Sequence, residues 1–171
     1  MTDAMEGAKA AIGNLGAKDD DELYRLLALR LKTLERDPSI AGQFAPATIA
    51  PTELGITVPD LVAFGRRAFQ RLAKAGQELL CGTEDNQGFY LQRILSSLNT
   101  DVTTVTAAVA TLLIGQLAIA PAIAGVVASI VVGKVAPTSL ESLCKTWADK
   151  IGEPTPTETP TETPTETPAP A

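Results

Sequence analysis

Apolar residues recur at helical spacing through much of the chain. Between residues 20 and 36 the leucines lie one, three or four positions apart, which places them on one face of a helix: Leu23, Leu26, Leu27, Leu31 and Leu34. Residues 58–80 repeat this period with Leu61, Phe64, Ala68, Leu72, Ala75 and Leu79. Shorter segments with the same period cover residues 87–98 and 139–151, and a weaker one covers residues 2–15. No segment convincingly shows the alternation of a strand, so the pattern predicts an all-α protein.

Polar residues mark where two of these helices begin. The acidic run from Asp19 to Glu22 precedes the first leucine stripe, and carboxylates there cap free N–H groups and face the positive end of the helix dipole. Thr57 and Asp60 have the spacing of a capping box. An acidic run also suits a divalent cation, but at a helix start it is typical of a cap.

Three prolines between residues 38 and 57 predict a linker without regular structure.

The segment from Val102 to Gly133 contains 32 residues and no charge. A continuous helix of that length would measure about 48 Å, whereas the hydrocarbon layer of a membrane is about 30 Å thick. Pro121 lies near the centre of the segment, and proline is favoured in the first turn of a new helix. We therefore predict a hydrophobic helical hairpin with arms at about residues 103–118 and 121–135.

Small residues recur at intervals of four along the second arm of this hairpin: Gly125, Ser129 and Gly133. Such a row lets two helix backbones approach closely. Larger side chains, including Ile123 and Val127, fill the other faces of the same arm. We expect these five residues to pack the hairpin against its neighbours.

Two environments suit the predicted hairpin. In a soluble bundle, the amphipathic helices on both sides would cover it and satisfy their own apolar stripes. In the alternative, residues 102–133 enter a lipid bilayer. Between the two, a helical body that hides a Val/Ala/Gly-rich hairpin over about residues 102–135 resembles, in architecture, the pore-forming domains of colicins, which are soluble and release such a hairpin into a membrane. We favour a small helical bundle around the hairpin.

The end of the chain has a different character. The tetrapeptide Pro-Thr-Glu-Thr occurs three times between residues 156 and 167, and proline at every fourth position excludes a helix there. We predict a disordered Pro/Thr/Glu tail. The chain is thereby divided into an N-terminal helical segment at 1–37, a proline-containing linker at 38–57, the bundle with its hairpin at 58–152 and the tail at 153–171.

Composition narrows the available chemistry. The 171 residues include no histidine, which removes Ser-His-Asp and Cys-His nucleophile systems and every metal site that needs imidazole. Two cysteines are too few for a four-thiolate zinc site. We therefore expect no catalytic residues, no metal and no cofactor, and the protein is predicted not to be an enzyme.

Charge is distributed unevenly. Four of the 20 acidic residues lie in the tail, which leaves residues 1–152 with 16 acidic and 14 basic residues. A nearly neutral body gives no electrostatic argument for nucleic-acid binding. Arg66, Arg67, Arg71 and Lys74 nevertheless cluster on the helix predicted at 58–80, and the last three share one face. They are the candidate contact for an acidic partner protein or for anionic lipid headgroups.

The remaining features concern location and packing. The first residues lack the basic and apolar regions of a signal peptide, so we expect a cytoplasmic protein, with membrane association as the alternative. In that compartment Cys81 and Cys144 are expected to be free thiols that pack as small apolar side chains. Trp147 is predicted to anchor the core.

Together these patterns predict a small, non-catalytic helical protein. Its body would act through contact with an unidentified protein partner or through self-association. The competing hypothesis is an anchor or pore-forming-like protein that uses the hairpin at 102–133 in a membrane.

Overall fold

The computed structural model describes residues 2–81, 94, 96–98, 100–133, 137 and 139–152. These residues form seven α-helices, one 3₁₀ helix and no strand, so the prediction of an all-α protein is confirmed. The α-helices are α1 (Thr2–Leu15), α2 (Asp20–Arg36), α3 (Pro51–Leu54), α4 (Val58–Cys81), α5 (Val102–Leu117), α6 (Pro121–Val132) and α7 (Leu140–Gly152), and the 3₁₀ helix spans Pro38–Gly42.

The chain reverses direction between α5 and α6, as the hairpin prediction requires. Ala118 ends α5 in the left-handed region with φ of 52°, and the N–H of Ile119 donates to the carbonyl of Leu113 at 3.3 Å. This hydrogen bond satisfies one of the free carbonyls at the end of α5. Pro121 then occupies the first turn of α6, where its missing N–H removes no helical hydrogen bond. The hairpin is therefore built from a left-handed cap and a proline start.

Helix α6 lies at the centre of the bundle. Every residue from Ala122 to Val132 is buried, so the helix is covered on all sides. Its neighbours are α1, α2, the 3₁₀ helix, α4, α5 and α7. The apolar core therefore includes the two N-terminal helices as well as those that follow the linker. Ile12 and Leu15 of α1 belong to the same core cluster as the hairpin.

Helix α2 starts as its acidic run predicted. Asp19 accepts a hydrogen bond from the N–H of Glu22 at 2.8 Å, and the Glu22 carboxylate accepts one from the N–H of Asp19 at 3.2 Å. This reciprocal pair is a capping box. The carboxylates of Asp20 and Asp21 form ion pairs with other helices: Asp20 pairs with Lys150 and Asp21 pairs with Arg66. The acidic run is therefore a cap with two ion pairs.

The linker is more regular than expected. The prediction of residues 38–57 without regular structure is wrong for the 3₁₀ helix at Pro38–Gly42 and for α3. Both short helices have proline in their first turn, and Asp37 caps the 3₁₀ helix by accepting from the N–H of Ser39 at 3.1 Å. The prolines that suggested a break therefore start helices here.

The buried face of α4 differs from the predicted stripe. Ala75 is exposed and Phe64, Leu72 and Leu79 are half-buried, which corrects the prediction for these four positions. The buried residues are instead Leu61, Gly65, Ala68, Phe69, Ala73, Gly76 and Leu80. Two glycines lie on this face because other helices approach it closely. The face predicted from the large apolar side chains is therefore rotated about the helix axis relative to the face that is buried.

The closest approach is at Gly65. A Cβ atom added there would lie 1.9 Å from the carbonyl oxygen of Tyr24, so only glycine lets α4 cross the backbone of α2. At Gly76, a Cβ atom would lie 2.7 Å from the Trp147 ring and 2.8 Å from the Leu113 side chain. These two glycines set how α4 sits against α2, α5 and α7.

Several predictions fall wholly or partly outside the described residues. Of the helix predicted at 87–98, the structure describes Ile94, which is fully buried, and residues 96–98. The end of the second hairpin arm at 134–135 and the tail at 153–171 lie outside the described residues.

Replacing Ala118 with glycine should stabilise the protein by about 0.5–1 kcal/mol, because glycine removes the steric cost of the positive φ. Chemical denaturation of both proteins measures this difference. Ala75 is the matched control, since it is an exposed alanine inside α4. Ala75→Gly should destabilise by about 1 kcal/mol. Equal losses in the two variants would show that the left-handed cap is not formed.

Replacing Gly65 with alanine should destabilise the protein by about 3 kcal/mol, because the added methyl group collides with the backbone of α2. The control is Gly13→Ala in α1, where an added Cβ atom has open space and alanine favours the helix by about 1 kcal/mol. The free energies of unfolding should therefore move in opposite directions. A Gly65→Ala protein of wild-type stability would contradict the close α2–α4 crossing.

Candidate interaction surface

The four basic residues predicted on α4 separate into two groups. Arg67, Arg71 and Lys74 are exposed, and they lie on the side of the helix that faces away from the core. Within the described part of the chain, no carboxylate lies within ion-pair distance of these three side chains. They form an uncompensated positive surface, which we call the basic face.

Arg66 has a different environment. Its guanidinium lies 3.3 Å from the Asp21 carboxylate and 4.9 Å from the centre of the Tyr24 ring, and its side chain is 18% exposed. Tyr24 in turn packs edge-on against Phe69. Arg66 thus joins α4 to α2 through an ion pair and a cation–π contact. The structure does not bring it together with the other three basic residues.

An apolar groove runs beside the basic face, between α2 and α4. It has a volume of about 400 Å³ and is lined by Leu31, Glu35, Phe64, Ala68, Arg71 and Leu72. The side chains that form its floor are the half-buried members of the stripes predicted for these helices. The groove exists because α4 is rotated toward Gly65 and Gly76, which leaves Phe64 and Leu72 at the edge of the core instead of inside it.

Charged side chains of both signs border the groove. Lys32 lies over the Phe64 ring with its Nζ 4.6 Å from the ring centre, and it pairs with Glu35 at 3.7 Å. Arg71 stands on the opposite side and continues into the basic face. Lys32 therefore compensates the charge of the Glu35 carboxylate. Arg71 has no carboxylate within ion-pair distance among the described residues, so its charge is available to an anionic group.

The residues predicted to pack the hairpin all lie in α6 or at its end. Ile123, Gly125, Val127 and Ser129 are buried, and the Ser129 hydroxyl donates to the carbonyl of Gly125 at 2.8 Å. Gly125 faces α1, where an added Cβ atom would just reach Ile12 at 4.0 Å. Gly133 lies beyond the last turn with φ of 74° and open space around it. Gly133 therefore ends the helix. Gly65 and Gly76 have much closer neighbours than Gly125 and Gly133.

A buried cation fastens the hairpin to α2, and the sequence analysis did not identify it. Arg30 is 4% exposed and donates from one nitrogen to the carbonyls of Phe44 and Ala122, both at 2.9 Å. Burial lowers the pKa of Arg30 to about 10, so the side chain stays charged at neutral pH. Its position in the leucine-rich stripe of α2 is the one signal that could have indicated burial.

The expectation of free thiols is wrong. Cys81, the last residue of α4, and Cys144, in the second turn of α7, form a disulfide bond with Cα atoms 6.0 Å apart. The two cysteines are 63 residues apart in the chain, and the tertiary fold brings them to a distance at which a bridge forms. Free thiols, which a reducing cytosol would favour, are therefore not what the structure contains, and a cytoplasmic location stays a prediction.

Helix α7 is held to the bundle by the side chain predicted as a core anchor. Trp147 is fully buried, and its indole N–H donates to the carbonyl of Ala73 at 2.9 Å. Near the end of the helix, Lys150 forms an ion pair with Asp20 and the Gln70 amide donates to the carbonyl of Ile151 at 3.4 Å. The anchor prediction for Trp147 is confirmed.

Two observations bear on the class of protein. Among the described helices, none combines the length and the apolar character needed to cross a bilayer. Comparisons of the chain with protein-family models, with curated proteins and with solved structures give no match. The interpretation of function therefore depends on the groove, the basic face and the disulfide themselves.

Replacing Arg30 with alanine should destabilise the protein by about 2–4 kcal/mol, because it removes two charge-assisted hydrogen bonds and leaves a cavity between α2, α6 and the linker. Chemical denaturation gives this value. Arg36→Ala is the control, since Arg36 is exposed in the last turn of the same helix and should cost less than about 0.5 kcal/mol. Similar values for the two variants would show that Arg30 does not fasten the hairpin.

Proposed function

We propose that this protein is a non-catalytic interaction protein, and that the α2–α4 groove binds an acidic amphipathic helix of a partner protein. The observation that carries the proposal is the apolar groove of about 400 Å³ bordered by Arg71 and the basic face. A groove of this kind suits a helix that inserts apolar side chains at positions i, i+3, i+4 and i+7.

The floor of the groove supports an apolar contact. Leu31, Phe64 and Leu72 are half-buried in the free protein, so a partner side chain would complete their burial. Each apolar group removed from water contributes to binding in proportion to its area. The aromatic ring of Phe64 is the natural anchor, because aromatic residues are enriched at the energetic centres of interfaces.

Charge favours an acidic partner over a second copy of this chain. The exposed or half-buried charges at the groove and on the outward side of α4 beside it comprise four cations and two carboxylates: Lys32, Arg67, Arg71 and Lys74 against Glu35 and Glu78. Two copies meeting through this surface would bring like charges together, which opposes association. Glutamates on a partner helix would instead face Arg67, Arg71 and Lys74.

A synthetic amphipathic helix tests the proposal directly. The probe carries leucines at i, i+3, i+4 and i+7 and glutamates at the other positions, and isothermal titration calorimetry measures its affinity for the full chain. Arg71→Glu should weaken binding about fivefold or more, which corresponds to about 1 kcal/mol at the rim of the groove. Lys145→Glu is the matched control, because Lys145 is exposed on α7, away from the groove.

Three results would contradict the proposal. The first is equal binding by the Arg71→Glu and Lys145→Glu proteins. The second is equal binding of a probe in which lysines replace the glutamates. The third is a dimer of the free protein, seen by sedimentation, that Arg71→Glu dissociates, because the occupant of the groove would then be a second copy.

A further inference from the structure

Helix α7 is attached to the bundle by one covalent bond and by several non-covalent contacts. Cys144 is joined to Cys81 near its start, Trp147 is inserted at its centre, and Lys150 pairs with Asp20 near its end. Only Leu143 and Trp147 are buried among its residues. Leu140 and Ile151 are partly buried and pack against the same core, and the Gln70 amide donates to the carbonyl of Ile151, so the covalent bond adds to a set of non-covalent contacts.

Helix α7 covers part of the hydrophobic hairpin. The Trp147 ring fills the notch at Gly76 next to Leu113 of α5, which is fully buried, and α7 also packs against α6. Movement of α7 away from the bundle would expose Leu113 together with Leu143 and Trp147. The helix therefore acts as a cover over apolar surface that is otherwise the core of the protein.

The disulfide lies at a position from which it holds α7 against the bundle. It joins the end of α4 to the second turn of α7, and both cysteine side chains are partly exposed, so a reductant can reach them. With the bridge broken, α7 keeps its hydrogen bond at Ala73 and its ion pair at Asp20 but loses its covalent attachment to α4. Breaking one bond therefore changes the attachment of one helix.

We infer that the Cys81–Cys144 disulfide is a redox latch for α7, closed when oxidised and open when reduced. A thiolate of a dithiol reductant attacks one sulfur and releases the other cysteine as a thiolate, which takes up a proton. The second thiol of the reductant then displaces the first cysteine and closes its own disulfide. Two electrons and two protons are transferred, and the protein is left with two thiols.

Opening of the latch is a regulation separate from binding in the α2–α4 groove. The groove is lined by side chains of α2 and α4 that do not include the cysteines, whereas the latch joins Cys81 to Cys144 and changes how α7 packs on α4 and α6. In a reducing compartment the cover would loosen, and in an oxidising one it would stay closed. Failure of the groove proposal would leave this inference unchanged, because the two depend on different residues.

Trp147 reports on the latch because it is the only tryptophan in the chain. The experiment measures its emission maximum and its quenching by acrylamide in the full chain, before and after treatment with dithiothreitol. Reduction should shift the emission to longer wavelength and raise the quenching constant at least twofold. Hydrogen exchange should lose protection in α7 while α2 stays protected.

Two variants make the test specific. In Cys81→Ser/Cys144→Ser, Trp147 should be quenched as in the reduced wild type and should not respond to dithiothreitol. Lys150→Ala, which weakens the other end of α7, should raise quenching further in the reduced protein and leave the oxidised protein unchanged. The variants therefore separate loss of the latch from a direct effect of the reagent.

Two outcomes would overturn the inference. Unchanged Trp147 emission and quenching after complete reduction would show that the non-covalent contacts alone hold α7. Loss of helical circular dichroism and of protection in α2 would show that the bridge supports the whole fold and not the position of one helix.

Discussion

Helix α6 has no polar side, and the rest of the molecule is arranged by the need to enclose it. Its residues from Ala122 to Val132 are all buried, so water must be excluded around its full circumference. One neighbouring helix cannot do this, because a helix contact covers one face. The bundle therefore uses α5 as the second arm of the hairpin and adds α1, α2, α4 and α7 around it. A helix without a polar side thus becomes the centre of the protein core.

Enclosure requires close packing, and the chain achieves it at a few special positions. Gly65 lets α4 approach the backbone of α2, and Gly76 receives the Trp147 ring. The buried guanidinium of Arg30 joins α2 to the carbonyls of Ala122 and Phe44, which both accept from one of its nitrogens. These contacts fix the positions of the outer helices around α6. They also set the rotation of α4 about its own axis, which leaves Phe64 and Leu72 at the edge of the core.

The surfaces to which we assign functions follow from this arrangement. Rotation of α4 opens the groove to α2 and turns Arg67, Arg71 and Lys74 outward, where they have no carboxylate partner among the described residues. On another side of the core, α7 is held by Trp147, by the ion pair of Lys150 with Asp20, by the hydrogen bond from Gln70 to Ile151 and by the bridge between Cys81 and Cys144. The groove is formed by non-covalent packing, whereas the attachment of α7 includes a covalent bond between two sulfur atoms.

The amino-acid sequence by itself determined the six longer helices, because helical period, capping residues and proline position are local, but it did not indicate the two short helices of the linker. It also determined that the uncharged segment turns back near Pro121, since the hairpin prediction matches α5 and α6 closely. Tertiary structure alone decided the buried face of α4, the burial of Arg30 and the pairing of Cys81 with Cys144. These depend on contacts between residues distant in the chain, such as Arg30 with Ala122, and a local pattern contains no information about which helix lies opposite.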